Sequence, residues 1–176
     1  PAQAFDFDFA GNRPQPVLDG HLGGAVAGYR GGVPATGYIG NYPALASAPN
    51  IGSIGFIPDP DGTLRRVPLI TKFAGKHYPA LGLALLNCCS GQAKPLAVDE
   101  PVMRIPYRRD WRAYTVVSAA DILQQRITPA SASGRLVLVG SSSLGMGDRV
   151  ATPLAANRPG LGVQAAILSA LLDRQD

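Results

Sequence analysis

Alternating and helix-periodic hydrophobic positions follow one another along the chain from residue 52 onwards. An alternating run over residues 64–71 comes after PDPDG (58–62), whose Pro, Asp and Gly residues favour a tight turn, so the two predict a hairpin. Residues 53–57 and 102–107 have the composition of further strands. Because Pro68 has no N–H to donate, we expect its strand to lie at a sheet edge or to be bulged.

Two helices are predicted in the middle of the chain. The first begins at Pro79, since proline suits the first helical position, and continues to about residue 90. The second begins at Ser118, where Asp121 three residues later completes a capping-box pattern. Its buried side is expected to be Ile122 and Leu123.

The C-terminal region carries the strongest pattern. The run LVLV at residues 136–139 is typical of a central strand that is covered on both faces, and it leads into the loop GSSSLGMGD at 140–148. A helix is predicted over residues 161–173 because apolar residues recur on one face. The stripe consists of Val163, Ala166, Ile167, Ala170 and Leu171. Strands that alternate with helices predict an α/β fold, with a mixed central β-sheet flanked by helices.

The organisation predicted for residues 1–176 is a single domain. Residues 1–50 are punctuated by Gly and Pro and are expected to be loop-rich, whereas residues 52–173 carry the clear patterns. The chain starts at Pro1 without a leader-like segment, so we expect a piece of a longer protein in which the N-terminal part of the domain is truncated. No run approaches the ~18 apolar residues of a membrane span.

Composition argues for a folded chain without a nucleic-acid partner. Hydrophobic residues make up 46% and charged residues 16%, which is the opposite of a disordered composition. The net charge of +4 comes from scattered arginines without a long basic run. Arg108 and Arg109 are interleaved with Tyr107, Trp111 and Tyr114, a pattern that single-strand binders also use. We favour a polar strand end with hydrophobic anchors.

The serine-rich loop at residues 140–148 matches the nucleophile motif of a serine hydrolase only in part. A nucleophile elbow requires G-x-S-x-G, and here Gly140 precedes Ser142 correctly, but Leu144 stands where the second glycine belongs. A base is expected downstream of the nucleophile, yet His21 and His77 both lie upstream. A serine hydrolase is therefore retained only as the weakest of the alternatives.

Cofactor and metal motifs are not matched. Met146 occupies the place of the phosphate-loop lysine, although a loop of amides and hydroxyls can still hold an anion or a polar ligand, or serve only as a turn. Asp59 and Asp61 fit a hairpin turn better than a calcium loop. Adjacent Cys88 and Cys89 offer neither metal spacing nor a disulfide framework. No cofactor and no metal are predicted.

Three blocks in sequence order resemble a known family. They are FIPDPDGTLRRVPLI with YPALGLALL, then VSAADILQQRI, then GRLVLVGSSSLGMGDRVATPL with PGLGVQAAILSALL. The first resembles the D-x-D-G-x-x-R-R-x-P-L block of the type 2 CHASE family, and the match covers about residues 52–172. Ser143 replaces a common Ala, and Gln164 stands where the family usually has His. Gln forms hydrogen bonds but does not titrate near neutral pH.

The resemblance implies a sensory part of a bacterial receptor rather than an enzyme. It implies a periplasmic location, tethered to the cytoplasmic membrane by the protein's own transmembrane helices, with a cyclase, histidine kinase or protein kinase as the cytoplasmic output. The expected partner is an unidentified small-molecule or ion signal. The main alternative is an interaction module that dimerises the receptor and binds no small molecule. The helix at 161–173 is expected to pass the signal by shifting between two arrangements.

Ligand contacts are expected where strands end, because ligands of α/β sheets collect at the carboxyl ends of strands. The residues predicted first are Ser141, Ser142, Ser143, Asp148, Thr152 and Gln164. A second set consists of Asp59, Asp61, Arg65 and Arg66. The arginines of this second set either clamp a carboxylate ligand or pair with the neighbouring aspartates, and we favour the pairing.

Overall fold

Short strands and helices succeed one another in the computed structural model, which describes residues 32–35, 52–89, 97–140 and 149–174. In chain order they are β1 (Val33–Pro34), β2 (Arg66–Pro68), β3 (Ile70–Phe73), β4 (Lys76–Pro79), α1 (Leu81–Cys89), β5 (Val102–Arg104), the 3-10 turn η1 (Trp111–Ala113), α2 (Ala119–Leu123), α3 (Pro129–Ala132), β6 (Arg149–Thr152), β7 (Ala155–Pro159) and α4 (Gly160–Leu172).

The strand around Pro68 is interrupted, as predicted. β2 pairs antiparallel with β5, whereas β3 pairs antiparallel with β4, so the chain changes partner at Leu69. The N–H groups of Leu69 and Ile70 both donate to the carbonyl of Pro101, at 2.7 and 3.3 Å, which is the pattern of a bulge. The preceding turn closes the predicted hairpin through an antiparallel bridge between Ile57 and Arg66.

The described residues mix strands and helices, but their strands form small sheets. β1 lies parallel to β3 in a three-stranded sheet, and β2–β5 and β6–β7 form two-stranded antiparallel pairs. A parallel bridge between Thr63 and Ala151 joins the turn region to β6. The mixture of strands and helices agrees with the predicted α/β class, and the layout of a central sheet flanked by helices stays a prediction.

Residues 136–139 differ from the prediction of a doubly covered strand. They form no strand, and only Leu136 and Leu138 pack against the core. Val137 and Val139 are 54% and 69% exposed. A continuous apolar run predicts two covered faces, whereas the described residues cover only one of them.

Both predicted middle helices are present, at Leu81–Cys89 and Ala119–Leu123, but they differ from expectation in two details. Pro79 ends β4 instead of starting a helix, because its carbonyl accepts the N–H of Ser53 at 2.7 Å and holds the residue extended. Ser118 does cap α2, accepting the N–H of Ala120 at 3.1 Å. The predicted burial of Ile122 and Leu123 is wrong, since Leu123 is 83% exposed and Ile122 is also exposed. α2 is a five-residue helix with no buried residue.

The core joins α1 and α4 to β2, β3 and β5. A Cβ on Gly82 of α1 would come within 3.2 Å of Ile167 of α4, so the missing side chain allows the two helices to approach closely. All five residues of the predicted α4 stripe are buried, which confirms it. The largest fully buried side chains include Leu64, Ile70, Leu83, Met103 and Ile167. None of the helices in the described ranges has the length and apolar character needed to cross a bilayer.

Candidate functional site

Four charged side chains meet at the turn before β2, and we call them the Asp–Arg turn (Asp59, Asp61, Arg65 and Arg66). Arg65 binds Asp59 at 2.8 Å and Asp61 at 2.9 Å. Arg66 binds the other carboxylate oxygen of Asp59 at 2.6 Å. The pairing favoured from the sequence is therefore confirmed.

These ion pairs lower the pKa of both carboxyl groups. Hydrogen bonds from Arg65, and then the backbone N–H of Thr63, lower the pKa of Asp61 to about 2. Hydrogen bonds from Arg65 and Arg66 lower the pKa of Asp59. Positive and negative groups thus satisfy one another within the turn, and a ligand role for it stays a prediction.

Leu64 connects this turn to the rest of the molecule. Its N–H donates to the carbonyl of Ala151 in β6 at 2.7 Å, and its carbonyl accepts the hydroxyl of Tyr107 at 2.9 Å. Tyr107 is buried, and this burial raises its pKa to about 12, while the nearby charge of Arg158 acts in the opposite direction. The backbone of Tyr107 has a φ of 44°, in the left-handed region that residues other than glycine rarely adopt.

Arg158 in β7 is the most unusual charge of the described residues. It is 5% exposed, and its Nη1 has no hydrogen-bond partner. Arg158 lies opposite Val150 in the β6–β7 pair, and Val150 packs against the core, so the two side chains share the inner face. Buried charges are ordinarily paired, yet no carboxylate in the described ranges forms an ion pair with this guanidinium.

The start of α4 adjoins Arg158. A Cβ on Gly162 would lie 2.9 Å from the Trp111 ring and 3.4 Å from Cγ of Arg158, so both side chains border the first turn of the helix. Pro159 occupies the N-cap position without a side-chain cap, and the first turn contains no acidic residue. The first backbone N–H groups of a helix have no partner within it and carry partial positive charge.

Two predicted ligand contacts, Thr152 and Gln164, lie in β6 and α4. Thr152 is buried, and its hydroxyl exchanges hydrogen bonds with the backbone of Ala155 at 3.1 and 3.2 Å, which closes the β6–β7 hairpin. Gln164 is 7% exposed, and its Oε1 has no partner. It projects about 200° around the helix axis from Gly162, on another face from Arg158. Their ligand roles remain predictions.

The remaining predicted contacts, Ser141, Ser142, Ser143 and Asp148, lie outside the described residues. The serine hydrolase alternative requires a histidine within reach of Ser142 or Ser143, and these serines also lie outside the described residues. Among the residues that are described, no group of three or more His, Cys, Asp or Glu side chains is placed to hold a metal ion.

Sequence reasoning missed Arg158 and the packing role of Trp111. A signal for Arg158 was available, because the arginine stands three residues before the predicted start of a helix whose first turn lacks acidic residues. A cation at that end opposes the helix dipole, so it calls for another explanation. Trp111 and Tyr107 do act as hydrophobic anchors, as the interpretation of their arginine-rich segment predicts.

A comparison with protein-family models matches residues 2–176 to the CHASE2 domain. The chain belongs to the CHASE2 family. CHASE2 domains are sensory extracellular domains of signalling receptors, and the resemblance noted in the sequence is thereby confirmed. No curated protein and no solved structure gives a match to this CHASE2 chain.

Proposed function

We propose that this CHASE2 domain senses a small molecule or ion in the periplasm for a membrane-bound bacterial receptor. The receptor's cytoplasmic output is then a cyclase, a histidine kinase or a protein kinase. Family membership supports the sensory role. The observation that carries the proposal is Arg158, a buried charge next to the first turn of α4 that has no carboxylate partner among the residues the structure describes. A domain that binds nothing gains no stability from such a group.

The contacts of α4 support a role in passing the signal on. The segment over residues 107–114 touches this helix at three heights, through Trp111 at Gly162, Tyr114 at Ser169 and Arg109 at Asp173. The Tyr114 and Ser169 hydroxyl oxygens are 3.3 Å apart, and Arg109 pairs with Asp173 at 3.2 Å. A ligand that moves the start of α4 therefore acts on a helix braced along its whole length. Transmission requires two arrangements with different ligand affinity.

One observation favours the interaction-module alternative. Several large apolar side chains are exposed, namely Val116, Val117, Ile122, Leu123, Val137 and Val139. Exposed apolar surface of this kind is typical of protein–protein contact when its members are contiguous. In that case the partner is a second copy of the receptor domain.

A melting screen distinguishes the two functions. The 176-residue chain is heated with a panel of metabolites and ions, and its oligomeric state is measured by sedimentation in parallel. Sensing predicts that at least one compound, at a hundred times its Kd, raises the Tm by roughly 5–10 °C. No shift with any compound, together with a dimer at micromolar concentration, would support the interaction module instead.

A further inference from the structure

We infer that the start of α4 binds a small oxyanion, the acid group of a carboxylate or phosphate compound, through the guanidinium of Arg158 and the backbone N–H groups of the helix's first turn. The inference deepens the proposed function and rests on it, since it gives the chemical class of the signal. The region in question consists of Arg158, Gly160–Gly162 and Trp111, and we call it the Arg158 site.

Two positive features of the Arg158 site have no negative partner among the described residues. Arg158 is buried, and its Cγ lies 3.4 Å from the Cβ position of Gly162 in the first turn of α4. That turn carries the positive end of the helix dipole, and within the described ranges neither an acidic first-turn residue nor a side-chain cap offsets it. A bound anion compensates both features at once, as at other helix N-termini.

The chemistry of Arg158 favours an oxyanion over a halide. A guanidinium presents its N–H groups in a planar fork that fits two oxygens of a carboxylate or phosphate group. Nη1 of Arg158 is a buried donor without an acceptor, so part of this fork is available. The Asp–Arg turn shows an arginine whose donors are already used, because Nη1 and Nη2 of Arg65 donate hydrogen bonds to the carboxylates of Asp59 and Asp61.

Two positions in the first turn of α4, Gly160 and Gly162, carry no side chain. The Trp111 ring fills the space where a Cβ of Gly162 would stand. Both glycines are buried, so an anion bound here loses competing water and its attraction to Arg158 is strengthened. Because Trp111 packs on the same turn, binding is expected to change the surroundings of its indole ring.

The test uses Trp111 as the reporter, since it is the only tryptophan of the chain. Its fluorescence is recorded while the 176-residue chain is titrated with inorganic phosphate, and separately with succinate, against chloride at constant ionic strength. Arg158→Met removes the guanidinium and keeps an unbranched side chain. Arg158→Lys keeps the charge and removes the fork. Arg104→Met, at an exposed arginine of β5, makes the same change in net charge elsewhere.

We expect a saturable fluorescence change with at least one of the two anions and none with chloride. Arg158→Lys should weaken binding by about tenfold or more, because a charge-assisted fork is lost, and Arg158→Met should abolish it. Arg104→Met should bind like the original chain. A response to phosphate alone or to succinate alone supports the site and identifies the acid group of the ligand.

Three outcomes overturn the inference. They are no saturable response to either anion up to 50 mM (about the upper limit of weak specific binding), equal responses in the chain and in Arg158→Met, or equal losses in Arg158→Met and Arg104→Met. If a neutral or cationic compound raises the Tm in the melting screen while both anions fail here, the sensing function stands and only the anion assignment is lost.

Discussion

The Asp–Arg turn and the Arg158 site treat charge in opposite ways. In the turn, two arginines and two aspartates near the surface form ion pairs of 2.6–2.9 Å, and the carboxyl pKa values fall accordingly. At the Arg158 site a single arginine is buried and has no carboxylate partner in the described part of the chain. The charges of the turn compensate one another, whereas the charge of Arg158 is not compensated by any described residue.

The difference shows which kind of charge points to function. The Asp–Arg turn is conspicuous in sequence and belongs to the block that resembles the family, yet its geometry is that of a well-satisfied hairpin. Arg158 belongs to no motif in the sequence, and its burial is what distinguishes it from the exposed arginines. Buried unsatisfied groups are rare in folded proteins and need an explanation, such as an ion or ligand that they hold.

The largest expected effect on stability comes from adding a side chain at Gly162, where the Trp111 ring already packs. Gly162→Leu would drive a side chain into the Trp111 ring and the stem of Arg158, because even a Cβ would stand 2.9 Å from the ring. We expect a loss of about 3 kcal/mol in the free energy of unfolding, measured by urea titration. Ala165→Leu, at a half-buried position of the same helix, is the control and should cost clearly less. Equal losses would mean that Trp111 does not pack tightly on Gly162.

A smaller effect is expected where the two regions meet. Tyr107→Phe removes the hydroxyl that donates to the Leu64 carbonyl, and leaving that buried acceptor without its donor should cost about 1–2 kcal/mol. Burial raises the pKa of Tyr107 from its ordinary value of 10 to about 12. The protonated hydroxyl therefore contributes its full stabilisation below pH 10, and this contribution is lost as the pH rises through 12.

The difference in urea midpoint between the chain and Tyr107→Phe should therefore be constant from pH 7 to 10 and shrink above pH 10. Tyr114→Phe is the control, because its hydroxyl lies 3.3 Å from Ser169 at a half-buried position. A Tyr107→Phe variant as stable as the original chain would contradict the link between Tyr107 and Leu64.

The smallest effect concerns the turn and is confined to acid. The pKa of Asp61 is about 2 in the folded chain and 3.8 ordinarily, so its ion pair stabilises the fold above pH 3.8. This stabilisation is lost as the pH falls through about 2. Urea midpoints from pH 6 to pH 2 should show a small deficit for Asp61→Asn that disappears in acid. Asp99→Asn, at an exposed carboxylate outside the turn, should show no such pattern.

Local chemistry made part of the structure predictable. The turn at residues 58–62, the interruption at Pro68, the cap at Ser118 and the α4 stripe all follow from interactions between near neighbours in sequence. The α/β mixture follows from the same patterns. These features need no knowledge of distant partners.

Features that depend on distant partners were not predictable. The exposure of Leu123 and Val139 depends on which segments cover them, and the position of Pro79 depends on a hydrogen bond from Ser53. Trp111 and Arg158 both lie against Gly162 of α4, and no local pattern encodes the approach of Trp111 to this helix. Gln164 was predicted as a ligand contact on the argument that ligands collect at strand ends, and it stays a prediction; its Oε1 is buried without a partner among the described residues.

One paired measurement addresses the central claim, that Arg158 is held at the expense of stability while Arg65 contributes to it. Urea unfolding of Arg65→Met and Arg158→Met is compared with the original chain in a buffer free of oxyanions. We predict that Arg65→Met lowers the midpoint, whereas Arg158→Met raises the free energy of unfolding by about 1–3 kcal/mol because an unpaired buried charge is removed. A fall in the midpoint for Arg158→Met as large as that for Arg65→Met would contradict the account.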